Sequence, residues 1–537
     1  MMDLNNGLFS DIGIDSVGFY VPRYYLDLEE LARHRNVPPE KYTQGLLLRE
    51  IRLPGAQEDI VSMSLKAGSY ALRNGNINQK EIDGLFVATE TMTYAAKSVS
   101  NILSELLDIS INAITQDIYN TCAGGTLALL DAISLVEKGI VSKALVIFSD
   151  ICSYAMEDSG EPTQGAGSAA FVISKNPRIA VLSNIYGKIS RNINDFYRPP
   201  SSDNAKVFGK FSVKSYIQFQ LAAFNDLFNK VGSVPIKSYV FHAPFPKIVL
   251  KFLFALIIDL DGNSDYFLNS NGDLDLLLEE DTFMSNFTSF TEELKTKITQ
   301  ELPEIQTDRL EKAIQRGILP QLKAPMYFGN QYSASLWTQI IYLMENYLHG
   351  NDILYFGSYG SGATCISGLL KMRPNFKKGL NGDLKITNFM NNKQRIDISS
   401  YTRLKTNHIN NNSIILGQIS PYKTQDNISF SLNFCDKGCL ISDYKNLNYC
   451  PKGHSGNSEY SFPYYAILES EPITKKSPND FNFYKKGLVR VDPNAEVGDV
   501  LEFELRRIEM TLNSEKIDGF IDWAPYYIPS LFKNNNL

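Results

Sequence analysis

The feature that constrains this chain most is a plan that occurs twice along it. Short apolar runs of buried-strand type, GLFVAT (84–89), ALVIFSD (144–150), SYVFHA (238–243) and ILYFGS (353–358), alternate with stretches of helical character. Continuous apolar strands covered on both faces, with helices between them, require a layered α/β fold. The runs also correspond in pairs: DGLFVATE (83–90) matches KSYVFHAP (237–244), and GAGSAAFVIS (165–174) matches GSGATCISGL (360–369). Between them, NTCAGGTLALLDAISLV (120–136) occupies the same relative place as FGNQYSASLWTQIIYLM (328–344). Units this long indicate an internal duplication rather than a solenoid, and a duplication brings corresponding strand ends to one shared crevice. Polar residues at those ends are where chemistry is expected.

At 537 residues the chain is long enough for roughly two to four domains with ordinary cores. Its 52 basic and 59 acidic residues leave a formal charge of −7, so no broad basic surface exists to hold nucleic acid or an anionic membrane. An anionic ligand must be bound by a local cluster. The opening segment MMDLNNGLFSDIGIDSV has no basic region followed by an apolar core, and the apolar run 248–260 is short and broken by Lys251. A cytoplasmic protein with no membrane span is expected. Six cysteines are too sparse for a disulfide framework. Cys122, Cys152 and Cys365 are scattered, whereas Cys435, Cys439 and Cys450 crowd together, which suggests two modules. The expected division is 1–406 and 414–537, with the Asn-rich stretch 407–413 as linker. Within the first module the halves run from about 11 to 175 and 176 to 406, and the acidic, turn-rich segment at about 261–280 reads as a solvated insertion.

Three strand-end or helix-start residues are candidates for catalysis. Cys122 precedes a helix that is apolar on nearly all faces, where the macrodipole favours thiolate, and Gly124 and Gly125 would let a ligand approach the backbone. A lone cysteine is otherwise a small buried hydrophobe. His242 ends an apolar strand and is followed by Lys247 and Lys251, which share a helical face and could clamp a phosphorylated ligand. Glu90 ends the matching strand of the first half; a carboxylate held in a dry cleft gains the raised pKa of a useful acid or base, and its plainer reading is a cap.

With these residues on equivalent strand ends, the chain is similar to the 3-hydroxy-3-methylglutaryl-CoA synthase family of the thiolase superfamily. The matching blocks include GIDSVGFYVPRYYLD (13–27), EKYTQGL (40–46), VATET (87–91), NTCAGGT (120–126), SDICSYA (149–155) and PTQGAGSAA (162–170). They continue through DFYRP (195–199), GKFSVKSY (209–216), FHAPFPKIVLK (241–251), GNQYSASL (329–336) and SYGSGA (358–363), so coverage runs from about 11 to about 405. The resemblance implies a thiolase-like duplicated five-layer α/β fold and an acyltransferase that condenses acetyl-CoA with acetoacetyl-CoA or a related β-ketoacyl thioester. Cys122 would carry the acetyl group, Glu90 would remove a methyl proton and assist hydrolysis, and His242 would polarise the acceptor carbonyl. It further implies acceptor binding at Asn330, an oxyanion hole near Ser361, CoA contacts at Lys247, Lys251, Thr163 and Ser212, and Tyr154 as a wall of the acyl pocket. The segment 156–160 departs from the family pattern, which touches that wall. A homodimer without a catalytic cofactor is implied, with a thiolase or an acyl carrier protein as potential partner.

Other readings are distinguished by residues. A thiolase would need a second active-site cysteine, and Cys365 lies far past GSYGSG. A ketoacyl synthase accounts for Cys122, His242 and Asn330 but leaves Glu90 unexplained, and the runner-up to the CoA reading is the same chemistry on a carrier-bound acceptor. A noncatalytic acyl-CoA-binding scaffold would keep the lysines without needing the trio. In the C-terminal module, Cys435-x3-Cys439 and Cys450-x3-His454 are two knuckles of the kind that hold a structural zinc, although three intervening residues exceed the usual two. Reduced, packed cysteines are the alternative. The segments 485–493, 499–510 and 515–529 alternate like strands, and the module is similar to zinc-ribbon plus OB-fold proteins that accompany such synthases.

Overall fold

The computed structural model describes residues 7–260 except 56–57, 92, 95, 200–201 and 203, residues 320–406 except 381–384, and six strands beyond residue 430. The insertion at 261–280 and the linker at 407–413 lie outside the described residues, as do Cys439, Cys450 and His454. The chain divides into two units, one made of Met1–Gly55 and Met63–Lys405, the other of Ala56–Ser62 and Thr406–Leu537.

The first unit is a mixed α/β fold built on a ten-stranded sheet. Its strands are β1 (Phe9–Tyr20), β2 (Gly84–Ala88), β3 (Ile114–Ile118), β4 (Lys143–Cys152), β5 (Gly165–Lys175), β6 (Ala180–Ser183), β7 (Gly187–Ser190), β8 (Ile236–Phe241), β9 (Ile353–Gly360) and β10 (Thr364–Met372). They run in the order β8-β9-β10-β6-β1-β5-β4-β2-β3, and β7 pairs with β10. In one half β2 is parallel to β4, β4 antiparallel to β5, and β5 antiparallel to β1. The other half repeats this pattern: β8 is parallel to β9, β9 antiparallel to β10, and β10 antiparallel to β6. Every residue of β2 and β9 is buried, which is why these strands read as unbroken apolar runs.

Two helices, α1 (Gly124–Glu137) and α5 (Ser335–Asn346), are the counterparts in the two halves and contribute to one hydrophobic core. Among the described residues, three more lie between them: α2 (Gly209–Val231), α3 (Pro246–Leu260) and α4 (Lys323–Phe328). The sequence suggested that α1 is buried all round, but Asp131 and Ser134 are exposed and Leu127 and Leu135 only partly covered. It is α5 that is enclosed, with each residue from Ser335 to Met344 buried. A Cβ on Gly125 would stand 2.6 Å from the Ser333 carbonyl oxygen and 3.0 Å from the Phe148 and Trp337 rings, so α1 reaches this depth only with glycine there.

Each helix is entered through a left-handed non-glycine residue three positions before its first residue, Thr121 (φ 41°) before α1 and Tyr332 (φ 43°) before α5. The backbone therefore pairs Cys122 with Ser333, three residues away from the pairing with Asn330 that matching 120–136 to 328–344 implies. Conformation at the turn, rather than residue likeness, sets the correspondence.

In the second unit, Phe430–Cys435 pairs antiparallel with Leu440–Ile441 and with Asn457–Phe462. Trp523–Lys533 pairs antiparallel with Leu501–Thr511 and parallel with Arg490–Val491. Among the described residues, no helix is long and apolar enough to cross a membrane.

Candidate active site

Strand ends from both halves meet at a cavity of about 340 Å³. Past the end of β2, the Thr89 amide still donates to the Ile118 carbonyl (3.2 Å); past the end of β8, the His242 amide donates to Gly357 (2.8 Å). Glu90 and His242 thus leave equivalent strands at nearly the same point. Cys122 follows the left-handed Thr121, whose hydroxyl donates to the Ser361 carbonyl (2.9 Å) and ties the cysteine turn to the loop after β9. The Cys122 Sγ lies 3.8 Å from Glu90 Oε1.

Cys122, Tyr154, Thr163, Ser212, His242, Lys251, Asn330 and Ser361 all line the cavity. Glu90 does not; it sits buried behind Cys122. Lys247, on α3 one turn before Lys251, is also absent from the lining; burial, and then the Lys247 charge, lower the Lys251 pKa. The Thr163 hydroxyl donates to the Gly160 carbonyl (2.8 Å) and the Ser212 hydroxyl to Asp195 Oδ2 (3.1 Å), so a ligand meets these two as acceptors. Asn330 accepts from the Tyr332 amide (2.9 Å) and the Ser335 hydroxyl (3.0 Å) on its carboxamide oxygen, leaving the NH₂ group for a ligand. The apolar wall around Cys122 is made by Tyr154, Phe196 and Tyr332, which pack edge to face.

Burial, and then the Asp150 carboxylate, push the Glu90 carboxyl well above its ordinary range, against the nearby Arg198 guanidinium, which also donates to the Glu90 carbonyl. Burial, Glu90 and Asp150 likewise push the Cys122 thiol well up. This reverses the expectation of a resting thiolate: desolvation and two carboxylates act on the charged form at close range and outweigh the end of a helix dipole. Both groups are thereby biased toward their neutral forms. His242 is 1% exposed, neither ring nitrogen has a hydrogen-bond partner among the described residues, and burial lowers its pKa to about 3. A neutral imidazole with orphaned nitrogens in a cavity is a hydrogen-bond donor waiting for a carbonyl oxygen.

Sequence reasoning missed Asp150. Its Oδ1 accepts from the Thr89 hydroxyl (3.0 Å), the Glu90 amide (2.8 Å) and the Thr91 amide and hydroxyl (3.0 and 2.9 Å). Its Oδ2 accepts from the Ser333 amide (3.1 Å) and the Ser333 hydroxyl. One buried carboxylate thereby fastens the Glu90 turn to the entry of α5. The signal was present: ALVIFSD ends an apolar run in a carboxylate, as the Glu90 strand does. Asp195 was missed too; it accepts from Ser212, from the Tyr359 hydroxyl (3.1 Å) and from the Gly362 amide (3.0 Å). Cys365, by contrast, is wholly buried in β10 beside Gln220 and does not line the cavity; the cysteine near Cys122 is Cys152, buried in the same apolar cluster and likewise not part of the lining.

Residues 9–178 match the family described as hydroxymethylglutaryl-coenzyme A synthase N terminal, and residues 179–403 match its C-terminal counterpart. The chain belongs to the hydroxymethylglutaryl-CoA synthase family. A hydroxymethylglutaryl-CoA synthase from Gibberella zeae is 30% identical over 379 residues, covering 66% of this chain and 80% of that protein. One from Enterococcus faecalis is 29% identical over 357 residues, with the same two shares. Among solved structures, a protein bound to 3-hydroxy-3-methylglutaryl coenzyme A superposes with a TM-score of 0.63 at 24% identity, covering 77% of this chain and 97% of that one. The synthase of the curacin biosynthetic pathway, solved with an acetyl donor carrier protein, gives 0.60 at 21% identity over 73% and 88%. These likenesses give the fold of the synthase family to the first unit.

Proposed function

We propose that Cys122, Glu90 and His242 carry out the family's condensation in this cavity. The chain is an acyltransferase that condenses acetyl-CoA with acetoacetyl-CoA to 3-hydroxy-3-methylglutaryl-CoA. Cys122 Sγ attacks the acetyl thioester and expels CoA as thiol, forming acetyl-Cys122. Glu90, acting through its ionised form, removes a proton from the acetyl methyl group; the resulting enolate adds to the acceptor's ketone carbon, and the alkoxide takes that proton back to become the 3-hydroxyl. His242 donates a hydrogen bond to the ketone oxygen as it becomes alkoxide, while the Cys122 amide and the backbone near Ser361 stabilise the thioester oxyanion. Water then cleaves the link to Cys122 and releases the product. The observation that carries this reading is the 3.8 Å approach of Cys122 and Glu90 at a cavity also lined by an imidazole whose buried nitrogens have no partner among the described residues.

Incubation with both thioesters and mass spectrometry of the products tests it; a ketoacyl or thiolysis product in place of 3-hydroxy-3-methylglutaryl-CoA refutes it. Running CoA-bound against carrier-bound acceptor decides the acceptor's handle. We also propose the five-layer thiolase-type arrangement for the first unit and a cytoplasmic homodimer. For the C-terminal unit we propose a zinc ribbon and an OB-like part, supported by the spacing of Cys435, Cys439, Cys450 and His454 and by the two three-stranded sheets.

A further inference from the structure

Behind one wall of the cavity lies a buried polar network that takes no part in the chemistry above. The wall is the segment from Tyr154 to Thr163, of which Tyr154, Ser159, Gly160 and Thr163 face the cavity. It contains the stretch that departs from the family pattern. Gly160 lies flat on the Tyr154 ring: a Cβ there would come within 2.5 Å of two ring carbons. The wall's position therefore depends on what holds the segment from behind.

We propose that Arg35, Glu161, Gln164, Tyr401 and Lys405 form a clamp that positions this wall and so sets which acyl group fits against Cys122. Arg35, just past the helix Leu28–His34, grips the Glu161 carboxylate with two bonds, Nε to Oε2 (2.9 Å) and Nη2 to Oε1 (2.7 Å). The Tyr401 hydroxyl, on the last helix of the unit (Ile398–Thr406), donates to Glu161 Oε1 (2.8 Å) and accepts from Gln164 Nε2 (3.0 Å). Gln164 Oε1 in turn accepts from the Tyr154 amide (3.1 Å) and from Lys405 Nζ (2.6 Å), and the same ammonium donates to the Ser153 hydroxyl (2.9 Å). Glu161 and Gln164 are 1% and 0% exposed. Burial alone would raise Glu161, but the Arg35 and Tyr401 bonds outweigh it and keep the carboxyl below its ordinary range.

A two-pronged arginine–carboxylate grip in a desolvated place has one good geometry, and losing a partner leaves buried groups unsatisfied. Such a network fixes position more than it adds stability. It reaches Tyr154 at two points, its own amide and the hydroxyl of its neighbour Ser153, and it draws on three segments far apart in sequence. Tyr401 and Lys405 are positioning residues: neither lines the cavity.

The inference rests on the synthase reading for its kinetic arm only. Tyr401→Phe with Lys405→Met removes one hydroxyl and one ammonium at nearly constant shape. With acetoacetyl-CoA, KM for the acceptor should rise about tenfold, roughly 1.4 kcal/mol, while kcat stays within about threefold. Preference for acetoacetyl-CoA over 3-oxohexanoyl-CoA should fall by about the same factor. A second arm needs no turnover: Cys122 is alkylated with iodoacetamide or with the bulky N-(1-pyrenyl)maleimide and quantified by peptide mass spectrometry. The ratio of bulky to small labelling should rise several-fold in the variant and return with Lys405→Arg in place of Lys405→Met. Lys405→Met alone serves if the double variant does not fold. Unchanged acceptor preference together with an unchanged labelling ratio overturns the proposal, even if the melting temperature drops. Absence of condensation by the unaltered protein would overturn the functional reading instead, and the labelling ratio would still decide the clamp.

Discussion

Acidification should strip stability from the site through His242, and the amount follows from its burial. The imidazole titrates near 6.5 when solvated and near about 3 in the folded chain, where burial disfavours the charged form. Because the folded value is depressed, the unfolded chain binds the proton first; the contribution is intact above the unfolded value and is lost as pH falls toward the folded one. At about 1.36 kcal/mol per unit, the loss from this residue is about 2 kcal/mol at pH 5 and approaches about 5 kcal/mol below pH 3. Urea unfolding at pH 7.5 and pH 5, followed through Trp337, measures it, since that ring is fully buried against Phe148 in the same unit. A Trp523→Phe background leaves Trp337 as the sole tryptophan reporter. His242→Gln removes the titration, so between the two pH values the parent should lose about 2 kcal/mol more than the variant. Parallel losses in the two proteins would refute a neutral, desolvated His242, and with it the role of hydrogen-bond donor. The same state implies that kcat shows no limb from His242 between pH 5 and 8.

Cys122→Ala should abolish the acetyl-enzyme detected by intact-mass measurement, whereas Glu90→Ala should accumulate it without forming the new carbon–carbon bond; normal condensation by Glu90→Ala would remove Glu90 from the mechanism. Gly125→Ala places a methyl against the Ser333 carbonyl and the Phe148 and Trp337 rings, and should cost about 1–3 kcal/mol in chemical denaturation. For the C-terminal unit, about one zinc per chain is expected by elemental analysis, and chelation should lower its stability more than turnover; metal-free protein from careful preparation would end that assignment.

Strand ends are local facts, and the sequence alone located them. An apolar run that stops at a histidine or a glutamate shows where the chain leaves the core, which is why Glu90, Cys122 and His242 could be singled out and why the repeated runs revealed the α/β plan. Even Asp150 was legible in this way, at the end of ALVIFSD. Other properties are relations between residues distant in the chain, and only the tertiary structure decided them. The macrodipole argument for Cys122 used one helix, but its protonation is governed by desolvation and by Glu90 and Asp150 closing around it. Helical spacing put Lys247 and Lys251 on one face, yet of the two only Lys251 lines the cavity. Nor could any local pattern join Arg35, Glu161 and Tyr401, because that grip exists only where three separate segments exclude water together.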